Sequence, residues 1–259
     1  MEKTGTAERL QVEPEPVVAP DGEPRVQNES STESASPVRA TLVTALVAFL
    51  GYLVLATITI GIGYLITREL MHGALGRWDA DVARWFADHR TPNRTDLSAY
   101  GSAVSETLTV IVVVVVAGLF LVIRRHWREL GIVLVAMAIE GATYLTATYV
   151  ITRHRPRVAR LEDLIVSDSF FSGHVAAATA LYGSLAVVVW SLTRQPVLRV
   201  LFAVLAIVAP LMVATSRMYR GMHFASDAIV GALVGLGCII IAVTAVHFGA
   251  RAAYQGDAS

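Results

Sequence analysis

TLVTALVAFLGYLVLATITIGIGYLIT, residues 41–67, is 27 residues long and carries no charged side chain. About 20 apolar residues are enough to cross the hydrocarbon core of a bilayer. Inside lipid the backbone must satisfy its own hydrogen bonds, so such a run is expected to be helical. Five further apolar runs follow, at residues 104–123, 130–152, 173–192, 200–215 and 225–248. The fifth of the six runs is short. The valine-rich stretch at 110–116 does not alter the reading, because no strand edge is tolerated in lipid. The fold class that follows is all-α: a polytopic membrane protein, a six-helix transmembrane bundle.

Composition agrees. Hydrophobic residues make up 54% of the chain and charged residues 16%, against roughly 25% charged in a soluble domain. The formal net charge of +0 argues against a nucleic-acid partner, which selects for a basic surface. Cys238 is the single cysteine, which excludes an intrachain disulfide. Lys3 is the single lysine, so nearly all fixed positive charge is arginine.

Three regions are expected. Residues 1–38 are rich in Glu, Pro, Ser and Thr without aromatics, a composition that cannot offset its ordering entropy; they read as a disordered cytoplasmic tail. Residues 39–250 form the six-span domain, and 251–259 a short C-terminal tail. Between the first two spans, Trp78, Val82, Trp85 and Phe86 recur at helical spacing, with Asp79, Asp81, Arg84 and Asp88 off that stripe. This suggests an amphipathic helix lying in the interface. The short basic linkers at 124–128 and 194–199 point to the cytoplasm, which turns the opposite loops outward.

Three polar segments interrupt the apolar runs, all on that outward side: Arg153-His154-Arg155-Pro156-Arg157, Ser172-Gly173-His174, and Ser216-Arg217 followed by His223 and Asp227. Charged groups at membrane depth are costly and functional by default. Guanidinium forks match phosphate oxygens, and Ser172-Gly173 would open a helix whose free amides attract anions. His223 and Asp227 are four apart and would share a helix face. Asp227 could then accept a hydrogen bond from the N–H of one imidazole nitrogen and leave the other as a lone-pair nucleophile. His174, from another segment, can act as acid and base. No His, Asp and Glu grouping has metal-ligand spacing, so neither a metal nor another cofactor is expected.

These segments resemble the three-part signature of the type-2 phosphatidic acid phosphatase superfamily: Lys-x6-Arg-Pro, Pro-Ser-Gly-His and Ser-Arg-x5-His-x3-Asp. Bacterial undecaprenyl-pyrophosphate phosphatases form the branch of it that the chain is most like. The match lies in Arg155 and Pro156, in Ser172, Gly173 and His174, and in Ser216, Arg217, His223 and Asp227. The resemblance implies a metal-independent lipid phosphatase at the membrane face. His223 would form a phosphohistidine, oriented by Asp227. His174 would protonate the leaving group and then activate water. Arg155, Arg217, Ser172 and the Gly173 amide would hold the phosphate. The partners implied are a membrane lipid phosphate and the bilayer, with oligomeric state left open.

Two positions depart from the signature. Thr148 stands where the family has lysine, and Phe171 where it has proline. One cationic contact is then either missing or supplied by another arginine, and the second is favoured, with Arg153 or Arg157, which flank Arg155, as the source. Glu140, Tyr144 and Thr148 follow i, i+4, i+8 along one face of the third span, and Glu140 reads either as a support for a site arginine or as a hydrogen-bonded bundle residue. A phosphotransferase and a non-catalytic lipid-binding protein of the same fold are the alternative readings.

Overall fold

The computed structural model describes residues 36–163 and 168–253. The expectation for the N-terminal tail therefore lies outside the described residues, as does most of that for the C-terminal one. Helix α1 (Pro37–Tyr64) starts where Ser36 accepts a hydrogen bond from the Arg39 amide at 3.4 Å and Pro37 presets the first turn. It continues through a π turn and a 3-10 turn, so that the first span reaches His72. Helix α2 (Ala74–Asp88) and helix α3 (Pro92–Ala103) fill the loop before the second span. Four helices follow α4 (Thr107–Ile123): α5 (Trp127–Val150), α6 (Gly173–Leu192), α7 (Pro196–Tyr219) and α8 (Ala225–Ala252). The described residues form helices and loops, with one isolated bridge between His154 and Asp168.

The all-α membrane bundle stands, with two corrections to its spans. The second is broken: α3 and α4 meet at a bend of 44° and pass as one span only together. Among the described residues five helices are long and apolar enough to cross by themselves, and this bent pair counts as a sixth when taken as one span. The fifth span is not short; α7 has 24 residues. Its polar start was excluded from the apolar run, yet Pro196 opens the helix and Arg199 turns back to donate to Thr193 O at 2.7 Å and Trp190 O at 2.9 Å, tying off the end of α6. Its polar finish, Ser216-Arg217, stays helical because both side chains are buried and bonded.

The exterior is greasy. Phe49, Leu53, Val115, Leu119, Leu211 and Ile240 are all more than half exposed or nearly so, as lipid contact requires when the bilayer is the solvent. Inside, α6 and α8 carry the densest buried faces. They approach closely because Gly231 and Gly235 repeat at four residues along α8. A Cβ at Gly231 would lie 2.5 Å from Ser172 O, and one at Gly235 would lie 2.7 Å from Ala176 O. This small-residue contact is the usual route to close helix packing in lipid. Here it fixes the start of α6 against the first turns of α8, and the Ser172 amide donates to Asp227 O at 3.2 Å.

Helix α2 is amphipathic as expected, but one assignment on it reverses. Trp78 and Trp85 are exposed, while Asp79, placed off the apolar stripe, is buried at 1% exposure. The reason lies in what Asp79 meets.

Candidate active site

The α5–α6 loop, the α7–α8 loop and the α3–α4 bend close over one end of the bundle. Several bonds hold them. Ser169 N donates to Arg153 O at 2.8 Å, and Arg153 N donates to the Asp168 carboxylate at 3.0 Å. Arg90 donates twice to Tyr219 O, the last carbonyl of α7, and once to Ala159 O at 2.7 Å. Gly221 makes the tight turn out of α7 at φ +73, where a side chain would be strained.

Beneath these loops is a cavity of about 650 Å³. Arg155, Arg217, Gly173, His174 and His223 line it, so all three polar segments converge. Of the other expected site residues, Ser172 is fully buried beside the cavity with its hydroxyl unpartnered, and Asp227 is buried behind His223. A separate groove of about 620 Å³ between α2, α3 and α7 is mostly apolar; His89 and Arg94 line it, but His174 and His223 do not.

His223 lies in the loop just before α8, which begins at Ala225. Its Nδ1 is 2.8 Å from Ser169 O, whereas Asp227 is 3.9 Å away. A carbonyl only accepts, so Nδ1 carries the proton and Nε2 keeps its lone pair. The expected orientation of His223 by a direct bond to Asp227 is corrected accordingly: the Ser169 carbonyl does it. Burial, then the neighbouring Arg155 and Arg217, hold the His223 imidazole well below the usual histidine range, so it is neutral at neutral pH.

Asp227 serves the end of the helix. One carboxylate oxygen accepts from the Phe224 amide at 3.0 Å, and the other is bonded to Arg153. Arg153 is also paired with Asp79 at 2.8 Å, donates to Ser226 Oγ at 2.9 Å, and stacks over the Phe224 ring at 4.5 Å. Asp79 accepts from Ser226 N at 3.0 Å and Ser226 Oγ at 2.5 Å. Arg153 therefore does not fill the place of the missing lysine. It is a buried brace between two carboxylates, outside the cavity wall. Arg157 is exposed and also outside that wall, as is Thr148, whose hydroxyl is buried without a partner.

Sequence reasoning missed three participants. Asp79 and the Ser169 carbonyl carry no motif. The third, Glu162, lines the cavity and bridges Arg217, at 2.6 Å, and Arg220. Burial acts to raise its carboxyl, but the two arginines outweigh that and hold it below the ordinary carboxylate range.

What remains open suits an anion. Ser105 Oγ and Arg217 Nε are buried without a protein partner in residues that line the cavity. No side chain caps α6, so its first amides face the same end. Arg155 donates to Met222 O and lines the wall beside them. Burial first, and then the nearby Arg217, lower its pKa. No three metal-type side chains come together among the described residues.

Comparison with known proteins fits this geometry. The family model of the PAP2 superfamily matches residues 129–251. A transmembrane PAP2 type phosphatidylglycerolphosphate phosphatase from Bacillus subtilis superposes with a TM-score of 0.60 at 22% identity, over 75% of this chain and 92% of that one. LpxE from Aquifex aeolicus superposes with a TM-score of 0.48 at 21% identity, over 63% and 93%. A search of curated protein sequences finds no match. The first likeness carries the fold, and residues 129–251, which match the model of the PAP2 superfamily, run from α5 to α8 and include the loops and helix starts that bear every motif residue.

Proposed function

We propose that the protein is a membrane phosphatase that removes a phosphate from a lipid phosphate or pyrophosphate through a phosphohistidine. The observation that carries this is the neutral His223, its Nε2 free, in the wall of a cavity whose open donors are cationic or amide. Arg155, Arg217, Ser105 and the first amides of α6 bind the phosphate oxygens. His174 takes up a proton when the anionic phosphate binds beside it; Nε2 of His223 then attacks phosphorus, the bond to the leaving oxygen breaks, and His174 gives that oxygen its proton. His174, now neutral, takes a proton from water as the water displaces His223 from phosphorus. Binding and positioning provide most of the catalysis in such transfers. The acidic brace behind His223 favours the positive charge that its ring acquires. Metal independence, a place in the cell membrane and an outward-facing site belong to the same proposal, which the basic linkers at 124–128 and 194–199 support.

Phosphate release from a panel of lipid phosphates, using purified protein in detergent, tests it. His223→Ala should abolish release while the protein remains monodisperse. Undiminished release by that variant would end the mechanism.

A further inference from the structure

Glu140 is 7% exposed, within α5, and its side chain forms part of the cavity wall. Among the described residues nothing bonds to it: neither the site arginine nor the bundle hydroxyl expected as its partner is there. A buried carboxyl without a partner is costly in an apolar bundle. One that opens onto a cavity is compensated when a ligand fills it.

Its level identifies the part of the ligand concerned. The Tyr144 ring packs against Gly173, where a Cβ would come within 2.7 Å, so Tyr144 is level with the start of α6. Glu140 lies one turn deeper, about 6 Å along the axis. Met137 on α5 and His174 and Ala177 on α6 line the same wall. A leaving group protonated by His174 extends to that depth.

The charge of the wall limits what the leaving group can be. Arg155 and Arg217 are its two arginines, and Arg217 is already paired with Glu162. The carboxyl groups of the same wall are those of Glu106, Glu140, Glu162 and Asp163, and Thr148 brings no cation. The cations suffice for one phosphate. A second phosphate at the level of Glu140 would find a carboxyl and no further cation to balance its charge in a low dielectric. A hydroxyl there would donate to the carboxylate and satisfy it.

We propose that Glu140 is a specificity-determining contact for the leaving group, selecting lipid phosphomonoesters whose leaving group bears a free hydroxyl over lipid diphosphates. This rests on the phosphatase reading above and narrows its substrate class.

The test is a ratio of kcat/KM values on two substrates in the same preparation: a diacyl lipid ending in glycerol phosphate, and a polyprenyl diphosphate. The wild type should favour the glycerol phosphate by about tenfold or more. Glu140→Gln should narrow that ratio to within about threefold, chiefly by faster diphosphate hydrolysis. Glu140→Asp keeps the charge and should keep the ratio. A wild type that prefers the diphosphate, or a ratio unmoved by Glu140→Gln, would overturn the proposal while leaving the phosphatase standing. If Glu140→Gln does not fold, the wild-type preference and the Glu140→Asp ratio still decide. Release from neither lipid by the wild type would remove the phosphatase reading and this one with it.

Discussion

Replacing Arg153 by methionine distinguishes two roles for the same side chain. A phosphate ligand would cost catalysis and leave the fold intact. The structure shows instead a guanidinium with 1% exposed side chain, set between Asp79 and Asp227, both at 0%. Removing it leaves two carboxylates buried close together with no counter-charge. Breaking a buried pair from one side costs about 3–5 kcal/mol, because the remaining charge is uncompensated. At roughly 2–4 °C per kcal/mol for a chain of this size, the melting temperature should fall by roughly 6–20 °C. Thermal unfolding in detergent measures this directly. Adding Asp79→Asn to Arg153→Met removes one of the stranded charges and should recover part of the loss, a coupling that a double-mutant cycle reads out. An Arg153→Met protein that melts within about 2 °C of the wild type yet loses about tenfold in kcat/KM would refute the brace and restore the phosphate-ligand role.

Three other outcomes are expected. Glu162→Gln releases Arg217 for the substrate, and KM should fall about two- to fivefold, the equivalent of a partly exposed ion contact; a raised KM would show that Glu162 supports the arginine rather than competing for it. Because the His223 ring is held below the usual histidine range and must be neutral to attack, while His174 must carry a proton, kcat/KM should hold or rise as pH falls through about 6.5; Arg155, Arg217 and His174 face that ring, and a decline already complete at that pH would contradict the nucleophile's assignment. Activity should persist in excess EDTA and be inhibited by vanadate, which imitates a phosphoryl group in transfer; loss in EDTA reversed by magnesium would contradict a metal-free mechanism.

The spans were legible because each is a local property of the chain, a run of apolar residues long enough for lipid. The ends of α7 were not, since Arg199 and Arg217 read as loop until the partners that absorb their charge are seen. The three polar segments were legible as a site because arginines, histidines and a helix start recur together on one side. The bond to His223 was misread for a specific reason. The i, i+4 spacing to Asp227 assumed a helix through both, but α8 starts at Ala225, so His223 stands off the helical face and turns to the Ser169 carbonyl. Asp79 could not be read at all. It looked like the polar side of an interfacial helix, and its partner lies 74 positions away.

That distance has a consequence for how such chains can be recombined. Asp79 precedes the stretch that matches the PAP2 model, yet it balances a charge inside that stretch. A chimera that takes residues 129–251 from this chain and its upstream helices from a relative with an apolar residue at position 79 would import Arg153 without its counterweight. The graft should misassemble, although every motif residue is present. In sequences with the same architecture, an arginine two positions before the Arg-Pro pair and an acid on the interfacial helix should be gained and lost together, like two halves of one hinge pin.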